Sequence, residues 1–321
     1  MSAQRPGPPE PPTAPEQSRA PAGVSAGAAG VGGAAGGGDN GGHSASAPAF
    51  RTRAERRAAR ERSGPDIELP AIAHTPRYVS LIATAVSAVL IAVSALAGEW
   101  MLALALALGS VILAWGWPRA AGLPSPVGAS IVLALTALAL VGAVLVAEDA
   151  PFLRWAAGAL ALGLVAMFLQ QLLRRDGRPR LVESVLGTSL GLVVFASGVS
   201  YLALVHLEHG PALIVCAMAA VVGGSLADLL VSIAPVRPWL LPLSMVLGGV
   251  ASVLASSIVE APDLPPAALI GVACGALAHA FRRLLSPEAG SYSSQGQIAA
   301  GMSSVAIVGA LLWMINDLVV R

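Results

Sequence analysis

The chain has 321 residues, of which 55% are hydrophobic and 12% charged, and its mean hydropathy is +0.74. Soluble globular domains carry about a quarter charged residues, so this composition excludes an ordinary water-soluble fold and makes the bilayer the solvent. The formal net charge is only +1, yet all 19 basic residues are arginine and their placement along the chain is uneven.

Residues 1–76 are expected to form a disordered Ala/Gly/Pro-rich tail. Its first fifty residues, with eight glycines between Gly30 and Gly42, cannot bury enough apolar surface to offset chain entropy. No apolar run occurs before about residue 78, so no cleaved secretory signal is expected. The segment 51–62 concentrates six arginines with Glu55 and Glu61 among helix formers, which suits a topology signal or a basic helix on an anionic membrane surface.

From residue 77 to 321 the pattern predicts an all-α integral membrane protein with about nine transmembrane helices. Crossing the hydrocarbon takes about 20 apolar residues in a helix. Such runs are expected near 78–97, 100–117, 127–147, 152–173, 183–206, 211–234, 239–259, 265–285 and 298–319. Nine spans put Arg119, the cluster Arg174, Arg175, Arg178 and Arg180, then Arg237, Arg282 and Arg283 on the same side as the tail. The other side holds Glu99, Glu148, Asp149, Glu208, Glu260 and Asp263, with Arg154 and Arg321 as its basic residues. By the positive-inside rule the expectation is a multi-pass plasma-membrane protein with a cytoplasmic amino terminus and an external carboxyl terminus.

The six tryptophans, Trp100, Trp115, Trp117, Trp155, Trp239 and Trp313, fall near proposed span ends and are expected to be interfacial anchors. Small residues inside the spans, such as Gly187, Gly191, Gly223 and Gly224, allow close helix packing and an oligomer interface. Cys216 and Cys274 lie in apolar runs without metal-site spacing and are expected to act as small buried hydrophobes.

Ionisable groups at membrane depth are costly and mark functional candidates. Asp228 of the sixth run and His279 of the eighth lie at similar depth, so they could pair, relay a proton or line a pocket. Arg282 and Arg283 follow His279 at the i+3 and i+4 positions, on one helical face that suits a phosphate or lipid headgroup. Glu183 lies on the same side, near the cluster from Arg174 to Arg180, with local pairing expected. His206, Glu208 and His209 have a spacing that metal binding would require a further ligand to complete. No phosphate loop, HExxH, nucleophile elbow or dinucleotide fingerprint occurs in a usable context.

The opening spans, from Arg77-Tyr-Val-Ser-Leu-Ile to Ala97-Gly-Glu-Trp100 and on to Ala114-Trp-Gly-Trp-Pro-Arg119, resemble the start of the phosphatidate cytidylyltransferases (CDP-diacylglycerol synthases). The likeness continues through Gly210 to Leu230 and Gly275 to Arg283. Of that family's carboxyl-end signature only the basic pair Arg282-Arg283 is present: Gly290 to Gln297 contains no His-Gly-Gly and no acidic residue. The resemblance therefore implies a catalytically degenerate, divergent member that binds lipid or a membrane partner through Asp228, His279, Arg282, Arg283 and Glu183. The alternatives are a small-solute or ion permease coupled through Asp228 and His279, and an active CTP-dependent synthase, which alone would require Mg as a cofactor. Membrane lipids and a second copy of the chain are the expected partners, and nucleic acid is not.

Overall fold

A computed structural model describes residues 75–147, 149–174 and 180–320. The tail, the basic segment 51–62, Arg175, Arg178, Glu148 and Arg321 lie outside the described residues. The helices are α1 (Tyr78–Ala97), α2 (Glu99–Ala120), α3 (Pro126–Leu145), α4 (Ala156–Leu173), α5 (Leu181–Leu204), α6 (Gly210–Ser225), α7 (Leu240–Val259), α8 (Leu264–Leu284), α9 (Ser294–Ala306) and α10 (Val308–Ile315). Short 3-10 segments, Leu226–Ser232 and Ala234–Trp239, extend α6 and precede α7. Taken with these extensions, and with α9 and α10 joined, the described residues contain nine helices long and apolar enough to cross a membrane. The protein is thus a multi-pass, all-helical membrane protein.

Small and hydroxylated residues line the inside of the bundle and many large apolar ones face outward, while Leu102, Leu133, Leu192 and Tyr201 are among the large residues buried as well. On α1, Ser80, Thr84, Ala88 and Ser94 are buried, while Ile82, Val86, Val89 and Val93 are each more than half exposed. Lipid tails solvate the outer stripe, so nothing is gained by hiding it; small residues inside let the helices approach and gain dispersion contacts.

The closest such packing joins α6, α7 and α8. A Cβ on Gly271 would stand 2.6 Å from the carbonyl oxygen of Gly248, so the two backbones touch where a side chain would part them. Ser244 and Ser252 donate across the same seam to the carbonyls of Gly275 (2.9 Å) and Ala267 (2.7 Å). Helix α9 packs against both α1 and α2 and joins the two ends of the sequence.

Two expectations need correction. Trp117 is no interfacial anchor: it is wholly buried, donates Nε1–H to the carbonyl of Gly187 at 2.9 Å, and stacks on Phe281 with ring centroids 6.4 Å apart. A Cβ on Gly191 would lie 2.7 Å from Trp117 Nε1, so a glycine one turn beyond Gly187 makes the room for this indole. Trp100, Trp115, Trp155 and Trp239 are more than half exposed, in keeping with anchoring, and Trp313 is partly buried. The last span, expected as one helix, is interrupted at Ile307. There Ser197 of α5 inserts its hydroxyl, donating to the Ile307 carbonyl (2.8 Å) and accepting from the Ala310 amide (2.9 Å), so an outside side chain replaces a rung of the helix's own ladder.

Candidate functional site

The candidate site forms at the arginine-rich end of the bundle. Helix α6 reaches it through Gly223-Gly224-Ser225, a run of weak helix formers in which the Ser225 hydroxyl bonds back to the Val222 carbonyl at 2.7 Å. The chain then tightens into the 3-10 segment Leu226–Ser232, which carries Asp228. Helix α8 presents His279 and Arg282 one turn apart, both buried, and α9 contributes Ser304.

Asp228 Oδ2 accepts from Arg282 Nε at 2.6 Å, and Asp228 Oδ1 lies 2.8 Å from His279 Nδ1. The histidine contact has ion-pair distance without hydrogen-bond alignment. Arg282 Nη1 donates to Ser304 Oγ at 3.2 Å, while Nη2 is buried with no hydrogen-bond partner among the described residues. A cation in a place so poorly solvated persists because Asp228 compensates it, and the two N–H donors of Nη2 are left unmet.

Asp228, Arg282 and Arg283 line a pocket with about 450 Å³ of free space, counting its open mouth, together with Arg77, Ser80 and Ser286. Arg77, just ahead of α1, is held there by the segment after α8. Its Nη2 donates to the Ser286 carbonyl at 2.6 Å, its guanidinium sits 4.5 Å from the Tyr292 ring centroid, and Tyr292 donates its hydroxyl to the same carbonyl at 2.9 Å. Arg283 is only partly buried and has no hydrogen-bonded or ionic partner among the described residues. Three guanidinium groups against one carboxylate leave the pocket positive, with donors to spare for an anion.

Asp228 is thus brought to His279 and Arg282, about fifty residues on, and shares a pocket with Arg283. Glu183 is not: it pairs with Arg180 in the first turn of α5, both side chains 56% exposed, and its hydrogen bond raises the basicity of that arginine. The other polar residues nearby serve the helix junctions. Gln171 donates to Ser184 Oγ at 2.7 Å and accepts from Arg174 at 3.0 Å, and Gln170 donates to Ser125 at 3.2 Å.

At the opposite end His206 stacks on Phe152, ring centroids 4.2 Å apart, with Nε2 3.5 Å from a Glu99 oxygen. Among the described residues no three of His, Cys, Asp and Glu stand close enough to share a metal ion. Cys216 and Cys274 are buried free thiols.

Sequence reasoning missed Arg77, Ser304 and Tyr292 as site residues. Arg77 stands at the start of the first apolar run and Ser304 inside the last, so position alone marks neither. Only the Ser303-Ser304 pair within the last span hinted at a polar partner. No known family model, curated protein or solved structure matches the chain.

Proposed function

We propose that this membrane protein binds the phosphate of an anionic lipid headgroup in the pocket formed by Arg77, Arg282 and Arg283. The observation that supports this most is Arg282, buried yet with an uncommitted Nη2, on the wall of a pocket that two further arginines share. Its level in the membrane fits: Arg77 immediately precedes α1 and Arg283 is the penultimate residue of α8, so both stand where a span gives way to headgroups. With the positive-inside rule this end faces the cytoplasm, where anionic lipid adds roughly 1 kcal/mol per arginine near the surface.

The cytidylyltransferase-like layout goes with a phosphorylated lipid as ligand and a site that no longer transfers nucleotide. Asp228 is committed to Arg282 and His279 rather than open to a divalent cation. A permease is the second function we weigh. In its favour, α6 gives way to a 3-10 turn at Asp228 and the last span breaks at Ile307, and interrupted spans are where transporters place their sites.

Native mass spectrometry of the purified full-length chain tests the proposal, titrating phosphatidylglycerol and phosphatidate against phosphatidylcholine. The expected result is selective retention of the anionic lipids, weakened about tenfold in Arg283→Gln and further in Arg77→Gln/Arg283→Gln. Retention indifferent to both variants refutes it. Turnover of CTP and phosphatidate with magnesium would make the protein an active synthase, and proton-coupled uptake lost in Asp228→Asn would make it a permease.

A further inference from the structure

We propose that the headgroup taken by the arginine pocket is a polyol, with free hydroxyls beside its phosphate. This deepens the headgroup site proposed above and rests on it. The pocket's walls repeat one short pattern: Arg77-Tyr-Val-Ser80 leads into α1, and Arg283-Leu-Leu-Ser286 runs out of α8. Both are wound as a helical turn, the Leu81 amide donating to the Arg77 carbonyl and the Ser286 amide to the Arg283 carbonyl, each at 3.1 Å. Each serine therefore shares a face with its arginine, and all four residues line the pocket.

Ser80 and Ser286 are 4% and 5% exposed. Their carbonyls are taken, that of Ser80 by the Thr84 hydroxyl at 2.9 Å and that of Ser286 by Arg77 and Tyr292. Neither serine hydroxyl has a hydrogen-bond partner among the described residues. Buried polar groups are nearly always bonded, so two unengaged hydroxyls on one pocket are groups that a ligand would satisfy.

Asp228 is the third such group. Its Oδ2 accepts from Arg282, but Oδ1 has only the misaligned contact with His279, and the carboxylate lines the same pocket. An ionised carboxylate has about four lone-pair sites, so Asp228 has room for a donor from the ligand.

The arginines call for a phosphate, and whatever stands beside it must suit a carboxylate and two hydroxyls. A second anionic group would face Asp228 at short range, and an ammonium would face three guanidinium groups. A neutral hydroxyl offends neither: it accepts from a serine and donates to Asp228.

The experiment compares retention of phosphatidylglycerol and phosphatidylethanol, matched in acyl chains, by the full-length chain in native mass spectrometry. The two lipids carry the same single charge, and only the first has hydroxyls. The wild-type chain should hold phosphatidylglycerol about tenfold more tightly, because a site built around hydroxyls leaves its own groups unpaired against an analogue that lacks them. Ser80→Ala and Ser286→Ala should each lower that ratio about threefold. The wild-type ratio depends on no variant folding, and the two serines lie in different elements.

Equal retention of the two lipids, with both still dependent on Arg283, overturns the polyol and leaves the phosphate site standing. A preference for phosphatidylglycerol that both serine variants keep in full overturns the assignment to Ser80 and Ser286. Retention that ignores Arg77 and Arg283 overturns the headgroup site, and the polyol with it. Glycerol 3-phosphate, which has the hydroxyls and no acyl chains, should compete poorly; competition as strong as the lipid's would make the ligand a soluble polyol phosphate and overturn the lipid reading.

Discussion

Asp228→Asn removes the charge that compensates Arg282 while keeping the side chain's shape. Arg282 is 6% exposed and Asp228 17%, with Nε and Oδ2 2.6 Å apart. At an effective dielectric near 20 their gross attraction is about 6 kcal/mol, much of which only repays desolvation. Removing one partner strands the other, so the lipid-free protein should lose about 3–5 kcal/mol, toward the low end because Asn can still accept one hydrogen bond. Denaturant and thermal unfolding of the full-length chain in detergent would measure it. The double variant Asp228→Leu/Arg282→Met, with neither charge left to bury, should unfold closer to wild type than Asp228→Asn does. Saturating phosphatidylglycerol should restore part of the loss in Asp228→Asn, by about 2.7 kcal/mol at a hundredfold excess over its Kd. Wild-type stability in Asp228→Asn, or a double variant weaker than the single, would refute the account of a compensated buried cation.

Trp117→Phe leaves the Gly187 carbonyl without its donor and should cost about 1–3 kcal/mol in the same unfolding assay, whereas a tryptophan that only anchored the surface would cost far less. Ser197→Ala removes both hydrogen bonds at the break in the last span, so hydrogen exchange at the Ala310 amide should accelerate; an unchanged rate would mean that the break is held by something else. Gly271→Val drives a branched side chain toward the Gly248 carbonyl and should cost about 1–3 kcal/mol or more, with the fold lost at the upper end. Glu183→Gln, at an exposed local pair away from the pocket, should leave anionic-lipid retention at the wild-type level, and a loss of binding there would move the site toward α5.

The sequence alone determined the solvent and the number of spans. Run lengths near 20 residues and the alternation of arginine between loops follow from a bilayer of fixed thickness, and both act locally, so they can be read without knowing which helix touches which. It also exposed Asp228, His279, Arg282 and Arg283 as candidates, because a charge within an apolar run is conspicuous wherever it ends up. What it could not supply was neighbours. Trp117 reads as a belt residue until Gly187 and Gly191 of another span leave a slot for it, and Arg77 reads as a boundary until Ser286 and Tyr292 hold it against the pocket. Glu183, a candidate for the site and also expected to pair locally with the cluster from Arg174 to Arg180, pairs among the described residues with Arg180 of that cluster. The interruptions after Ser225 and at Ile307 leave hydropathy unchanged, since Ser197, which sustains the second, comes from a different helix. In an alanine-rich membrane chain nearly every face can pack against some other, so only the tertiary structure decides which polar atoms meet.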